Sequence, residues 1–311
     1  MGVNDRIEWP HRREFAFTVF DDPDAQSYET TRIVYSFLAD IGLRTTVAVW
    51  PLGVRREVNS GGETCANPDY RQFLSELQNR GFEIAFHHAF PHSATREETV
   101  EALDTFRQYF GAFPRSMANH YNEEAIYWGS ARVGGWRRFV YNLTTSWKNE
   151  ARFFGHVPGH RAFWGDVCQD RIRYCRNFVF SDINTLRATP FMPYSDPARP
   201  YVNEWFSSSE GHQAPSFLKT LGERNQDKLQ AERGASIMYT HFGHGFVRNA
   251  QLNPEFRRLM ERIAKKPGWF VPVSTLLDFL KARNGTTVLD ARLRRSLETR
   301  WMWEKLFRGT S

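Results

Sequence analysis

Histidines and acidic residues collect directly after the apolar segments of this sequence. They are Asp21, Asp22 and Asp24 after the first segment, and His87, His88, His92, His120, His241 and His244 after later ones. Because the loops that follow parallel strands meet at one face of a barrel, we expect these side chains to lie close together. One carboxylate and two imidazoles form a common ligand set for a divalent metal ion, with positions left for water and substrate. The pattern therefore predicts a metal site.

The elements that must position these residues alternate between short apolar strands and segments of helical period, which is typical of βα units. The predicted strands are Phe15–Phe20, Arg44–Val49, Phe82–His87, Arg115–Ala118, Ala235–Tyr239 and Trp269–Pro272. The predicted helices are Thr30–Asp40, Tyr70–Arg80, Arg96–Phe110, Pro254–Lys266 and Ser274–Arg283. A repeated strand–helix order implies an α/β fold with a parallel sheet that closes, or nearly closes, as a barrel.

Residues 121–215 interrupt this rhythm with many Pro, Asn, Ser, Arg and aromatic residues. We expect only weak strands there, near Phe178–Phe180 and Trp205–Ser207. Aromatic rings pack against the C–H faces of sugars, and long loops in compact domains are usually functional. We therefore predict an elaborated insertion or cap that recognises substrate, with simple loop packing as the alternative. The candidate substrate-binding residues are Asn119, His120, Trp164, Tyr194 and Trp205.

The C-terminal residues 284–311 form a basic segment with a helical apolar period. Leu293, Leu297 and Trp301 are spaced four apart, and about half of the net charge of +6 lies in this segment. We expect a final helix that docks its apolar stripe on the barrel. Peripheral contact with an anionic membrane, or with a partner subunit, is the alternative. The predicted organisation is thus a single barrel domain over 1–283, with 121–215 as the insertion, and a helical tail over 284–311.

The composition excludes several classes of protein. With 41% hydrophobic and 15% aromatic residues, the chain can bury a core and is not disordered. It has no apolar run long enough to span a membrane, and its first residues lack the apolar stretch of a signal peptide, so we expect a cytoplasmic protein. Outside the tail no basic cluster or known motif indicates nucleic-acid binding. A homo-oligomer is possible.

Three motifs resemble those of the NodB-homology polysaccharide deacetylases. FAFTVFDDPD is similar to the opening T-F-D-D-G motif, and GFEIAFHHAFPHS is similar to the G-H-E-I-x-x-H-x-x-x-H motif. ASIMYTHFG is similar to the closing apolar strand that ends in a histidine. The resemblance covers about residues 15–120 and 234–283. It implies a divergent member of the family, with a distorted (β/α) barrel of about seven strands.

The resemblance also implies roles for individual residues. Asp21 would be the general base, Asp22 a metal ligand and His241 the general acid, and two histidines of the second motif would complete the metal site. The implied metal is zinc, with Ni, Co, Fe or Mn as alternatives. The implied reaction is hydrolysis of an N-acetyl group, or a similar acyl group, on an amino sugar. A cytoplasmic enzyme of this kind would act on a precursor of a surface polysaccharide such as capsule or O-antigen.

The sequence departs from the family pattern at three places. Pro23 replaces the glycine after the acidic pair, and Asp24 offers a further carboxylate. The second motif allows either His87 with His92 or His88 with His92; strand parity favours His87.

The third departure is that SMANHYN stands where the family has an arginine that supports the base. The alternative function is therefore another amide modification of a sugar, or carbohydrate binding without deacetylation, on the same fold and metal site.

Overall fold

A parallel barrel organises the chain, whose computed structural model describes residues 7–58, 61–148 and 151–310. The strands are β1 (Phe15–Asp21), β2 (Thr46–Val49), β3 (Glu83–Phe86), β4 (Ser116–Met117), β5 (Tyr174–Phe180), β6 (Tyr194–Ser195), β7 (Glu204–Ser209), β8 (Ala235–Thr240), β9 (Val247–Arg248), β10 (Gln251–Leu252), β11 (Gly268–Trp269) and β12 (Thr287–Val288). Strands β1 to β5, β7 and β8 pair side by side in parallel, and β8 returns to β1. This closed seven-stranded barrel confirms the predicted fold.

Helices cover the outside of the barrel. They are α1 (Tyr28–Asp40), α2 (Pro68–Asn79), α3 (Arg96–Phe110), α4 (Trp136–Thr144), α5 (Gly165–Arg171), α6 (Thr185–Ala188), α7 (Ala214–Leu221), α8 (Glu223–Ala231), α9 (Pro254–Ala264), α10 (Val273–Asn284) and α11 (Ala291–Arg308), with 3₁₀ turns at Pro10–Arg12 and Gly129–Arg132. Several of these helices have a side-chain hydrogen bond that caps the N-terminus. Thr95 and Glu98 form a capping box at α3, and Gly111 ends that helix in the left-handed conformation.

The first strand, β1, is an almost continuous apolar run. Every residue of β1 is buried, since one face packs inside the barrel and the other lies under helices. Its register with β8 pairs Phe20 with Tyr239 and Asp21 with Thr240. Both strands therefore end at the same level, and the residues that follow them meet at the barrel mouth.

The segment predicted as an insertion contains two strands of the barrel itself. Within residues 121–215, β5 and β7 are both longer than the weak strands expected there, and they pair in parallel with a register shift between Arg176 and Val179. The irregular part lies mainly before β5. It contains the 3₁₀ turn at Gly129–Arg132 and helices α4 and α5.

The C-terminal helix α11 docks on the barrel. Leu297, Trp301 and Met302 are buried, and the ring of Trp301 packs against Tyr141 and Phe178 with centroid distances of 5.8 and 5.0 Å. Across the described part of the chain, no helix is both long enough and apolar enough to cross a membrane.

Candidate metal centre

A cavity of about 470 Å³ lies at the carboxyl ends of the barrel strands. Asp22 and Asp24 reach it from the loop after β1, His87 from the end of β3, and His241 from the end of β8. Its volume is in the range of small-molecule sites. The wall opposite these loops comes from β5 and from the irregular segment before it; its members include Tyr121, Trp128, Arg132, Arg152 and Arg176.

Asp24, His87 and His120 form the first cluster in this cavity. His87 Nε2 lies 3.3 Å from Asp24 Oδ2, and His120 Nδ1 lies 3.1 Å from Asp24 Oδ1. The three side chains offer ligand atoms within 4.8 Å of one another. His87 is buried, and neither of its ring nitrogens makes a hydrogen bond with any described residue. A carboxylate and two imidazoles with an unsatisfied buried nitrogen fit a divalent metal such as zinc.

Asp22 has a different environment, although it lies only two residues from Asp24. Arg176 on β5 donates two hydrogen bonds to its carboxylate, from Nη1 at 2.8 Å and Nη2 at 2.5 Å. Burial disfavours charge on Asp22, but Arg176 and then His87 outweigh it, and the pKa of the carboxyl lies below its ordinary value. Asp22 is therefore an ionised carboxylate held in one orientation at the cavity floor.

His241 faces both carboxylates from the opposite side. Its Nε2 lies 3.9 Å from Asp22 Oδ2 and 3.5 Å from Asp24 Oδ2, while its Nδ1 lies 2.9 Å from the carbonyl oxygen of His212. That carbonyl only accepts, so Nδ1 carries the proton and Nε2 presents a lone pair to the cavity. Burial lowers the pKa of His241 to about 4. Tyr239 places its hydroxyl 3.4 Å from the same Nε2.

Asp21 does not line the cavity. Its carboxylate accepts hydrogen bonds from the Tyr35 hydroxyl at 2.9 Å and from the Phe242 amide at 2.8 Å, and the side chain is fully buried. Burial raises its pKa well above the ordinary value, against the effect of these two donors. The structure thus places Asp21 behind the site, where it connects β1, α1 and the loop after β8.

The other histidines of the second motif use their nitrogens elsewhere. His88 is buried; its Nδ1 lies 3.0 Å from Glu124 Oε1 and its Nε2 lies 3.2 Å from Asn119 Oδ1. His92 lines the cavity, but its Nε2 accepts a hydrogen bond from the Arg55 amide and its Nδ1 lies 3.0 Å from the Ser93 carbonyl. Both are therefore positioned as supports of the site, outside the ligand cluster.

The predicted substrate-binding residues divide between the cavity and the core. Asn119 and His120 line the cavity. Trp164, Tyr194 and Trp205 are each at most 1% exposed and are not among the lining residues. Trp164 donates its indole N–H to the Glu124 carbonyl at 2.7 Å. The aromatic side chains that do line the cavity are Tyr121 and Trp128, from the segment before β5, and Tyr239, from β8.

The sequence interpretation missed Arg176. The resemblance implies an arginine in the segment SMANHYN, whereas the arginine that the structure places beside the acidic pair comes from β5 and contacts Asp22. A detectable signal exists, since an arginine within the buried run YCRNFVF needs an acidic partner. The identity of that partner depends on barrel closure, which the local sequence does not reveal.

Gly243 allows two of the loops to approach. A Cβ at this position would lie 2.5 Å from the Asp24 carbonyl oxygen and 2.5 Å from the Ala25 carbonyl carbon, which is closer than real Cβ contacts. Glycine therefore lets the loop after β8 pack directly on the loop that carries Asp24.

Comparison with known proteins connects this geometry to a fold. The sequence matches no protein-family profile and no curated protein. The crystal structure of a polysaccharide deacetylase from Mycobacterium smegmatis is similar over 93% of this chain and 98% of its own, with a TM-score of 0.52 and 10% identity. The chain has a NodB-like (β/α) barrel fold. The crystal structure of Puue allantoinase is similar over 90% of this chain and 94% of its own, with a TM-score of 0.52 and 14% identity.

Within the NodB-like fold, the ligand cluster lies where the barrel strands end. The active sites of parallel β/α barrels occupy this face, because the loops there come from every strand. The motifs that suggested the resemblance contribute Asp22, Asp24, His87 and His241 to one cavity.

Proposed function

We propose that this protein is a metal-dependent hydrolase that removes an N-acetyl group, or a similar acyl group, from an amino sugar. The observation that carries the proposal is the convergence of two unlike clusters. Asp24, His87 and His120 offer ligand atoms to a metal, and beside them Arg176 holds the ionised Asp22. A NodB-like barrel presents both clusters in one cavity.

Asp24, His87 and His120 would hold the metal, with zinc as the proposed ion. A bound divalent ion polarises an acyl carbonyl and lowers the pKa of a water. In this arrangement Asp24 replaces Asp22 as the carboxylate ligand, and His120 replaces His92 as the second histidine. Arg176 donates to both oxygens of Asp22, which fixes that carboxylate and leaves one lone pair on each oxygen for a proton, and both nitrogens of His92 are taken by backbone groups.

Asp22 is our proposed general base. It is ionised and fixed by Arg176, and it lines the cavity from the loop after β1, whereas Asp21 is enclosed. His241 is the proposed acid: its neutral Nε2, 3.9 Å from Asp22 Oδ2, would take up the proton that Asp22 removes from the attacking water and pass it to the departing amine, while Nδ1 stays bonded to the His212 carbonyl. Tyr239 restrains the ring of His241 and stacks under Arg176, whose guanidinium carbon is 4.2 Å from the Tyr239 ring centroid.

The substrate assignment follows from the resemblance and from the lining of the cavity. Trp128 and Tyr121 offer aromatic surface for the C–H face of a sugar. We therefore favour a precursor of a surface polysaccharide, such as capsule or O-antigen, as the source of the amino sugar.

Acetate release tests the proposal. Purified protein with N-acetylated sugars and nucleotide sugars should release acetate, lose this activity with a chelator and regain it with Zn²⁺. His120→Gln should lose metal and activity together, and His92→Gln should lose less of both. Metal binding without turnover on any of these amides would exclude deacetylation and favour the carbohydrate-binding alternative.

A second amide hydrolysis has one specific observation in its favour. The allantoinase shares this fold to the same TM-score as the deacetylase. A small non-sugar amide therefore belongs in the substrate screen. Ammonia or acid production from such amides, without acetate release from sugars, would favour this alternative.

A further inference from the structure

Arg132 is a buried cation in the cavity wall, away from the ligand cluster. It ends the 3₁₀ turn Gly129–Arg132, is 4% exposed and lines the cavity. Its guanidinium carbon lies 3.5 Å from the ring centroid of Trp128 and 4.8 Å from that of Trp301. Two aromatic rings thus position the guanidinium, and neither supplies a negative charge.

Arg132 differs from the other buried arginines of the described chain. Arg137 pairs with Glu298, Arg176 with Asp22, and Arg199 with Asp196 and Glu298. Arg132 makes no ion pair with a described carboxylate, and its Nε and Nη1 are buried without a hydrogen-bond partner among the described residues. An unpaired buried charge is costly, so a protein keeps one where a ligand completes the pairing.

The surroundings keep Arg132 charged and available. Burial and then the neighbouring Arg176 lower its pKa, to about 10, which still leaves it protonated at neutral pH. Arg176 is committed to Asp22, so it does not compete for a ligand. A guanidinium presents several N–H donors in a plane, which matches the oxygens of a carboxylate or a phosphate.

We propose that Arg132 binds an oxyanion on the substrate, a carboxylate or a phosphate, while the acyl group lies at the metal cluster. The substrate would then be an acidic amino sugar: either a uronic acid or a sugar carrying a phosphate at its reducing end. This proposal rests on the proposed function for the identity of the substrate. The preference for an anion is a property of the cavity that binding alone can measure.

Calorimetric titration measures the preference for an anion separately from the proposed deacetylation. N-acetylglucosamine, its 1-phosphate and an N-acetylamino uronic acid are titrated into wild-type protein and into Arg132→Met, Arg132→Lys and Arg248→Met. We expect the wild type to bind one anionic sugar at least tenfold more tightly than the neutral one. Arg132→Met should abolish that preference, and Arg132→Lys should retain part of it. The preferred anion identifies the source of the charge.

Arg248→Met is the matched control, since it removes one exposed positive charge that is outside the cavity lining. It should keep the preference. Equal affinity for the three sugars, no binding of any of them, or a preference that survives in Arg132→Met would overturn the inference. Anion-selective binding without acetate release would instead contradict the proposed function and leave the anion site standing.

The melting temperature of Arg132→Met shows whether a loss of binding reflects a loss of folding. Because Arg132 has no acidic partner to leave behind, Arg132→Met should fold and should melt at or above the wild-type temperature. A large drop in melting temperature together with equal weakening for neutral and anionic sugars would show that Arg132 serves only the packing of Trp128 and Trp301.

Discussion

At the scale of single residues, the cavity carboxylates Asp22 and Asp24 differ because their partners differ. Asp22 faces an arginine that stays protonated, whereas Asp24 faces imidazoles whose neutral form can donate a lone pair to a metal. The proposed function therefore gives two roles to the same side-chain type within three residues.

Substitution of each carboxylate separates the roles. We expect Asp24→Asn to lower zinc affinity by at least tenfold, since the amide offers no charge to the ion. Asp22→Asn should keep the metal and lower kcat by roughly 10²- to 10⁴-fold, as expected for loss of a general base. Elemental analysis of both variants, together with acetate-release kinetics, checks this. Loss of metal in Asp22→Asn with full metal in Asp24→Asn would reverse the assignment.

Arg176 gives a second prediction at this scale. Arg176→Met should leave Asp22 buried without its counter-ion, which costs about 3–5 kcal/mol of folding free energy. Urea unfolding measures this directly. Asp22→Asn combined with Arg176→Met removes both charges and should recover part of the stability. A single variant as stable as wild type would show that Asp22 has another partner in solution.

Residue spacing in the sequence predicted the orientation of His87 but not the position of His120. The parity of the strand before His87 favours the face on which the structure places that side chain, since His87 meets Asp22 and Asp24. Parity ends with the strand, however. His120 lies in a loop, and its approach to Asp24 depends on how β3 and β4 pair in the barrel. No local pattern encodes that distance.

At the scale of secondary structure, apolar periodicity predicted α1, α2, α3, α9 and α10, because each has one buried stripe and a clear end, but it gave no bounds for α4 to α8. Helix α3 begins and ends where the sequence predicts, at a capping box and a glycine. Strands β5 and β7 were seen only in part. Their runs, YCRNFVF and EWFSSS, carry polar residues that are buried through barrel contacts: Thr185 Oγ1 lies 2.7 Å from Ser209 Oγ, and Thr189 Oγ1 lies 2.8 Å from Ser207 Oγ.

The docking of α11 depends on one buried acid. Glu298 accepts hydrogen bonds from Arg137 Nε and Arg199 Nη2, both at 2.9 Å, and from the Gly134 amide at 3.1 Å. Glu298→Ala should therefore destabilise the protein by about 3–5 kcal/mol, because it leaves buried donors unpaired. Thermal unfolding measures the loss. Glu261→Ala, which removes a partly exposed acid on α9, is the control and should change stability by less than about 0.5 kcal/mol.

The irregular segment before β5 should be sensitive to acid. Burial, and then Arg199 and Arg138, lower the pKa of His156 to about 4, and its Nδ1 accepts a hydrogen bond from the Tyr127 amide. The folded pKa lies below the unfolded value near 6.5, so protonation favours unfolding. The contribution is complete above about pH 6.5 and is lost as the pH falls towards 4.

His156→Gln checks this, since the amide oxygen of glutamine accepts the same hydrogen bond without titrating. The difference in unfolding free energy between wild type and His156→Gln should change by roughly 1–3 kcal/mol between pH 7.5 and pH 4.5. His11→Gln, at an exposed position, is the control. A difference that stays constant with pH would show that His156 is protonated in the folded state as readily as in the unfolded one.

At the scale of the whole molecule, the C-terminal helix joins the site to the outer surface. The inner face of α11 carries Trp301, whose ring lies on one side of Arg132. The outer face carries Trp303 and Phe307, which are 59% and 70% exposed and stack on each other at 4.5 Å. The apolar period of the tail therefore includes a docked stripe, which packs the barrel, and a second set of rings that nothing in the described chain covers.

Helix α4, which contacts α11, exposes a similar face. Trp136, Phe139 and Leu143 are 58–60% exposed and lie one turn apart, and the exposed cations Arg138 and Lys148 lie beside them. Exposed aromatic residues with basic neighbours match the interface of an anionic membrane. The peripheral membrane contact that the tail sequence offered as an alternative would therefore use both helices.

Vesicle sedimentation tests this contact. We expect the protein to sediment with vesicles that contain phosphatidylglycerol, and to do so several-fold less with pure phosphatidylcholine or at high salt, because the basic residues add electrostatic attraction. The double variant Trp136→Ser, Phe139→Ser should not bind these vesicles. Val54→Ser, at an exposed apolar position in the loop after β2, should bind them as the wild type does. If the wild type does not bind vesicles but elutes as a dimer in size-exclusion chromatography, and the double variant elutes as a monomer, the face joins two copies of the chain instead.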